Sequence, residues 1–517
     1  MSRHVGFNAA ASEDATDLER FGYRSELDRR LGGLSTFAAS FALISIIVGL
    51  FTVYGIGYAF AGPPVAWTVL VVLAGQALVA LVFAELAANY PISGSIYQWA
   101  KRLSNRPWGW MTGWTYVAAW LVVLPSIAVG LQATLTTLSP TFQLIGDKVP
   151  GLLDPEFAQN AIILGLVLFA ITTIVNYLGV RYLATAAKLG LIVEGLGIAL
   201  LLILLVTHVE RGPGVLFEDQ LHLGSGHAWG LFGALLIGAF LPMYQLFGFD
   251  EATQLAEETR EPRKVGPQSL LRSIIAAGIL SFLISALVPM ALPNVADEQV
   301  AAGGLQYVVE TLASSTVGKL FLVDVAIAFV CAGIAAHALC ARMFFSMARD
   351  GGTLFSRRLA SVSPTRHVPA YATAIPALFW TAILLINLGN AKVFNALIGA
   401  GVLLIYLAYL GVTLPMLRAR LRGEWQPDRR FFHMSPKVGA AVGIAATVWG
   451  AVGALNLIWP RAEFYGDAWY QEYSGILVVA AVLLIGAAHY VLAFRNERAE
   501  IAPEHQPPSP LERAVPH

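Results

Sequence analysis

Cysteine is almost absent: only Cys331 and Cys340 occur in 517 residues. Both fall in one apolar run, nine positions apart, which on a helix means about half a turn and a rise of about 13 Å. That separation forbids a mutual disulfide, and two such thiols do not make a metal site. Charge is scarce as well. Asp, Glu, Lys and Arg make up 13% of the chain, about half of the roughly 25% usual in soluble domains. The 33 basic residues balance the 33 acidic ones, so bulk charge implies no nucleic-acid partner. No GxxxxGK[ST] loop is present to cradle ATP phosphates, and no HExxH or comparable spacing to hold a metal. No nucleophile–base cluster gathers anywhere, so an enzyme is not expected, and neither a cofactor nor a metal is.

What the chain has instead is long apolar runs. Hydrophobic residues make up 57% of it, and windows of about 20 apolar residues recur along its length, as a bilayer core of roughly 30 Å demands of a helix. The fold class expected is an all-α polytopic membrane protein with twelve transmembrane helices. These fall near 36–60, 65–87, 108–138, 158–179, 184–208, 228–255, 267–292, 319–347, 369–389, 393–417, 438–459 and 473–494. The first run is too long for a signal-peptide core and lacks a cleavage pattern, so it reads as a retained span. With the N-terminus inside, 28 of the 33 basic residues are cytoplasmic, and only Lys148, Arg211, Lys319, Lys392 and Arg461 lie outside. That bias orients the protein with both termini cytoplasmic, as a multi-pass protein of the plasma membrane. The organisation expected is a cytoplasmic tail over 1–34, a ten-helix transport core over 35–417, a loop with helices 11 and 12 over 418–494, and a tail over 495–517. A channel would need repeated rings of filter ligands, and none occurs.

Two spans are interrupted. Span 1, TFAASFALISIIVGLFTVYGIGYAF, contains Gly49, Gly55 and Gly57, and span 6 meets Pro242 and Gly248 before Asp250 and Glu251. Spans 1 and 6 begin about 192 residues apart, and that offset carries Gly49 to Leu241, beside Pro242; matched interruptions in two halves point to a midplane binding site. The two successive blocks of five spans are read as a 5+5 repeat with discontinuous helices 1 and 6. Irregular backbone survives at that depth only when buried in protein or lining a cavity. Half-helix ends carry about +0.5 and −0.5 of an elementary charge, enough to attract a small zwitterion or amine.

The segment FGFDEATQLAEETREPRK resembles the sixth-span signature of the amino acid–polyamine–organocation transporters, roughly "GFE…AEE…P". ELAANYPISGSIYQWAKRL after span 2, NYLGVRYLATAAKL before span 5 and ARMFFSMARDG at the end of span 8 resemble other family segments in the same order. The resemblance covers about Ser35 to Leu417. It implies an inverted-repeat fold, alternating access, and secondary transport of an amino acid or small amine, commonly coupled to protons or run as exchange. It further implies that Val48, Gly49 and Leu50 lie in an unwound part of span 1, with free N–H groups near Gly49 facing a substrate carboxylate. Tyr244, Gln245, Leu246 and Phe247 would be unwound in span 6, their carbonyls taking an ammonium, with the Tyr244 ring as a cation–π partner and Gly248 at the break. Where amino-acid carriers of the family often read G-S-G-I-F, this chain reads Ile47-Val48-Gly49-Leu50-Phe51, which leaves room for amines, choline-like cations or ω-amino acids.

Ionisable residues within spans are the remaining candidates, because charge in hydrocarbon is retained for use. Asp250 stands at the acidic position of the "GFE" signature, as substrate contact, coupling group or cap of the inner half-helix. Glu194, midway along span 5, is the other coupling candidate, with a helix–helix hydrogen bond as its plainer reading. Glu251 points about 100° away from Asp250 on a helix and reads as structural. Glu85, Glu257 and Glu258 are assigned to an inner gate with Arg102, near Arg260 and Arg263. Arg342, Arg349 and Asp350 read as similar ion pairs. Asp324 is expected to meet water near the outer interface, and His337 to be a satisfied core histidine. The leading function is therefore a proton-coupled permease for an amino acid or amine, with an exchanger or a non-transporting sensor on the same fold as alternatives.

Overall fold

The computed structural model describes residues 18–146, 155–218, 229–386, 392–466 and 468–500. The outer parts of both tails, Lys148, and the junction of spans 9 and 10 lie outside the described residues. Helices dominate: α1 Gly33–Ile44, α2 Ile46–Ala61, α3 Val65–Asn89, α4 Ser95–Leu103, α5 Arg106–Leu138, α6 Pro155–Leu178 and α7 Val180–Thr207. After them come α8 Gly230–Gly238, α9 Phe240–Gln245, α10 Glu251–Gln254, α11 Pro262–Ala291, α12 Glu298–Leu312 and α13 Ser315–Arg349. Toward the carboxyl end lie the long helices α14 Ala370–Ile386, α15 Lys392–Leu421, α16 Pro436–Ile458 and α17 Ser474–Glu500. Among the described residues, ten stretches, the first being α1 and α2 together, are long and apolar enough to cross a membrane. The apolar helices Gly230–Gln245 and Ala370–Leu385 are shorter. The only extended pairing among the described residues is an isolated bridge between Leu31 and Thr259.

Local sequence explains the ends. Asn105 caps α5 by accepting from Trp108 N–H at 2.9 Å, with a proline in the first turn. Ser314 caps α13, so that helix starts four residues before the expected 319. An element not expected is α12, which precedes α13 and packs on α2. Its 15 residues are too few to register as a span.

Packing brings distant spans together around the breaks. α3 lies along α11, α5 along α13 and α15, and α1 along α7 and α11. Below them the amino-terminal segment forms a strap. Leu31 N–H donates to Glu258 O and Arg260 N–H to Leu31 O, each at 2.9 Å. Further back in the strap, the Tyr23 hydroxyl donates to Asp350 Oδ1 at 2.8 Å, under the Arg349 guanidinium 3.8 Å from its ring centroid.

Candidate functional site

Both interruptions are present, but not where the glycines alone place them. Span 1 breaks at Ser45, with φ 30 and ψ 96. Its hydroxyl accepts from Val48 N–H at 3.3 Å and its carbonyl from Gly49 N–H at 2.9 Å. Val48, Gly49 and Leu50 are therefore helical, and the expected free N–H groups near Gly49 are corrected: Ser45 closes that first turn itself. The exposed amide end of α2 is met by a protein carboxylate instead. Glu194 reaches across from α7 and accepts from Ile47 N–H at 3.4 Å. Asp324 packs its Oδ2 against Gly197, one turn beyond Glu194. Asp324 stands in the third turn of α13, half-buried, with that oxygen enclosed.

Span 6 breaks over five residues. Tyr244 and Gln245 still belong to α9, which corrects their expected unwinding; Leu246 to Asp250 lie between the helices. Gly248 has φ 80, a left-handed conformation that favours glycine. Asp250 follows, but its side chain caps nothing. It accepts instead from the Tyr116 and Tyr409 hydroxyls, each at 2.7 Å, and from Gln254 Nε2 at 3.1 Å. Burial is complete for Asp250 and Glu251 and nearly so for Glu194, at 0%, 0% and 1% exposure. A buried carboxylate with three donors is satisfied, and the cap reading of Asp250 gives way to a bridge between α5, α15 and the inner turn.

The two breaks touch. Gln245 Nε2 donates to Ile46 O at 3.2 Å, and a Cβ at Gly49 would stand 2.8 Å from Gln245 Cγ. Gly49 is thus needed for close approach of the spans. Ser40 of α1 donates to Phe249 O at 2.8 Å. Around this junction the rings of Tyr244, Phe247 and Trp120 meet edge to face, with centroids at 5.8 and 5.5 Å. The Tyr244 and Ser126 hydroxyls are hydrogen-bonded at 2.9 Å. Gln245 Oε1 and Trp120 Nε1 are buried with no hydrogen-bond partner among the described residues. Such groups are where the polar atoms of a solute would be satisfied.

The acids expected at an inner gate are all paired, with partners other than those expected. Glu258 receives Arg342 Nε and Nη2 at 3.0 and 2.9 Å, and Glu257 receives Arg349 Nη1 and Nη2 at 2.9 and 2.7 Å. Glu85 pairs with Arg420 and accepts from Trp425 Nε1 and Met434 N–H, each at 3.2 Å. Arg102 is corrected: it bonds to Gln98 on its own helix α4 and lies over the Phe21, Tyr23 and Tyr90 rings. It supports the strap, and forms no ion pair with Glu85, Glu257 or Glu258. Arg260 bonds to Arg29 O and Arg263 to Ala88 O, so neither is the main partner of those acids. Asp350, just beyond α13, joins Lys101, Tyr97 and Tyr23. Burial pushes its carboxyl up, yet Lys101 and the two hydroxyls hold it below its ordinary value. His337 donates from Nε2 to Thr373 O at 2.6 Å and meets the Thr172 hydroxyl at Nδ1 at 2.9 Å, a satisfied core residue.

Sequence reasoning did not identify Ser45, Trp120, Tyr116 or Tyr409. Ser45 had a signal, being the one polar residue in FALISIIVGLF. The others come from spans 3 and 10 and carry none.

Known proteins of similar sequence place the chain in a family. The family model described as amino acid permease matches residues 31–493. The amino-acid permease BAT1 of Arabidopsis thaliana is 28% identical over 506 residues, covering 93% of this chain and 94% of its own. The branched-chain amino acid permease BcaP of Lactococcus lactis is 25% identical over 468 residues, covering 88% and 92%. The swainsonine transporter swnT of Arthroderma benhamiae is 24% identical over 463 residues, covering 87% and 88%. The chain belongs to the amino acid permease family of the amino acid–polyamine–organocation superfamily, and is a multi-pass membrane transporter rather than an enzyme.

Proposed function

We propose that the protein is a proton-coupled symporter of the plasma membrane, taking an amino acid with an apolar side chain at the junction of the two helix breaks. The observation that carries this reading is the contact between the breaks, where Gln245 Oε1 and Trp120 Nε1 are buried without hydrogen-bond partners among the described residues, beside the Tyr244 and Phe247 rings. In this reading the solute ammonium is received by Gln245 Oε1 and the carbonyl end of α9, and Trp120 Nε1 supplies a donor for its carboxylate. Tyr244, Phe247 and Val48 border the side chain. The names of relatives in Lactococcus lactis and Bacillus subtilis, branched-chain amino acid permeases, support an apolar side chain.

The same reading gives twelve crossings in a 5+5 inverted repeat, with 35–417 as the transport core and 418–494 carrying the last two. Both tails, 1–34 and 495–517, are on the cytoplasmic side. The break in each of spans 1 and 6, and the packing of α3 on α11 and α5 on α13, support the pairing of halves. Of the two coupling candidates, Glu194 is favoured, because it sits at the amide end of α2 with Asp324 beside it. Asp250 is the positioning residue, committed to three donors. The inner gate is formed by Glu257–Arg349, Glu258–Arg342 and Glu85–Arg420.

Counterflow of radiolabelled leucine, valine, isoleucine and other amino acids in proteoliposomes tests the function. Counterflow together with accumulation under an inward proton gradient is expected. Counterflow alone would make the protein an exchanger, and no flux of any amino acid or amine would make it a sensor.

A further inference from the structure

The two carboxylates that follow the span-6 break are adjacent in sequence and opposite in circumstance. Asp250 accepts three hydrogen bonds. Glu251 is equally buried, yet both of its carboxyl oxygens are enclosed with no hydrogen-bond partner among the described residues. It opens the four-residue turn α10, which is packed against α1, α11 and α13.

The groups that could hold it charged are few. α13 presents Arg342 and Cys340, and the segment of Glu251 itself presents Asp250 and Glu258. α1 carries no ionisable side chain. On α11 the ionisable residues are Arg263, Lys264 and Arg272, of which the last two are exposed, while Arg263 bonds to Ala88 O and Asn89 O. Arg342 is already committed. Its Nε and Nη2 are on Glu258, and its Nη1 is on Asn176 Oδ1 and Ala338 O. A carboxylate taken from water without donors or a free countercharge neutralises itself by keeping its proton.

We infer that Glu251 is a proton-binding site, loaded in the conformation described here and discharged when α10 separates from α13 and water reaches it from the cytoplasmic side. In that step the Glu251 O–H bond breaks, the proton passes to water, and the carboxylate is left beside Arg342, which Glu258 then shares. The site is distinct from Glu194, which lies at the other break and already accepts an amide N–H. The inference rests on the alternating-access reading of the breaks, and the test separates the two.

Dicyclohexylcarbodiimide, which modifies protonated carboxyl groups in apolar surroundings, is reacted with the full chain in liposomes over a range of pH. The modified residues are mapped by peptide mass spectrometry. Modification of Glu251 at acid pH, declining as pH rises, is expected; no modification of Glu251 at any pH overturns the site. In parallel, Glu251→Gln should keep amino acid counterflow while losing its dependence on internal pH, and Glu251→Asp should restore that dependence. A wild-type pH profile in Glu251→Gln overturns the site as well. Should Glu251→Gln fail to fold, the labelling of the wild-type protein decides alone. Absence of counterflow in the wild-type protein would sink the transport reading, and the labelling would still decide whether Glu251 holds a proton.

Discussion

The break in span 1 occupies one residue and the break in span 6 occupies five. Ser45 turns the first with its own dihedral angles and closes it with its own hydroxyl and carbonyl, with long-range contacts from Glu194 and Gln245 added at the next two residues. The second has no side-chain cap. Its backbone and its acid are held from elsewhere: Phe249 O by Ser40 of α1, Gly248 N–H by Tyr409 at 3.1 Å, and Asp250 by tyrosines of α5 and α15. A break made by local chemistry is small and cheap to keep. One spread over several residues needs the rest of the molecule, and the spans that hold it are the ones that must slide if access alternates.

If that contrast is right, damage at span 6 should exceed damage at span 1. The largest effect is expected from Asp250→Ala, which orphans two tyrosine hydroxyls and the Gln254 amide, each at about 1–3 kcal/mol. Thermal unfolding in detergent should show a large drop, with lost transport. Tyr116→Phe and Tyr409→Phe should each fall by about 1–3 kcal/mol, and the double variant by less than the sum, because both act on one carboxylate.

Next is Gly49→Val, where the added atoms meet Gln245 and separate the breaks. Overpacking of about 1–3 kcal/mol should accompany loss of ligand-induced thermal stabilisation; intact ligand binding by folded protein would move the solute away from this junction. Gly248→Ala must adopt φ 80 beside Leu43 and Trp120, a left-handed strain of about 1–2 kcal/mol, read in the same unfolding assay. Ser45→Ala removes a single cap, about 0.5–2 kcal/mol. If it proves more damaging than Asp250→Ala, the contrast is reversed.

The smallest change in stability is expected from Glu194→Gln, whose amide oxygen can still accept from Ile47. Counterflow should persist and gradient-driven accumulation should disappear. Wild-type accumulation would remove Glu194 from coupling.

Much of this was legible from composition and spacing, for a physical reason. A bilayer demands about 20 apolar residues per helix, so spans announce themselves one at a time, and a broken one announces itself by glycine, proline and acid within it. The depth of a break is less legible. Gly49 drew attention, but the turn is made at Ser45, and the glycine serves the neighbour Gln245. Acids and arginines at the inner ends were legible as a set, while their pairing was not: Glu85 meets Arg420 across 335 positions of sequence, and Arg102 meets aromatic rings.

By itself the sequence determined the membrane class, the run of apolar helices, the two interrupted spans and the buried acids. Those follow from the solvent and from local backbone chemistry, which act on neighbouring residues. Only the tertiary structure decided which acid is satisfied and which is not. Asp250 and Glu251 are consecutive, equally buried and alike in chemistry. What separates them is that Tyr116 and Tyr409 arrive from α5 and α15 on one side, while on the other Arg342 has already been taken by Glu258. Donors brought from other helices, rather than the residue type, set the state of a carboxylate buried away from water.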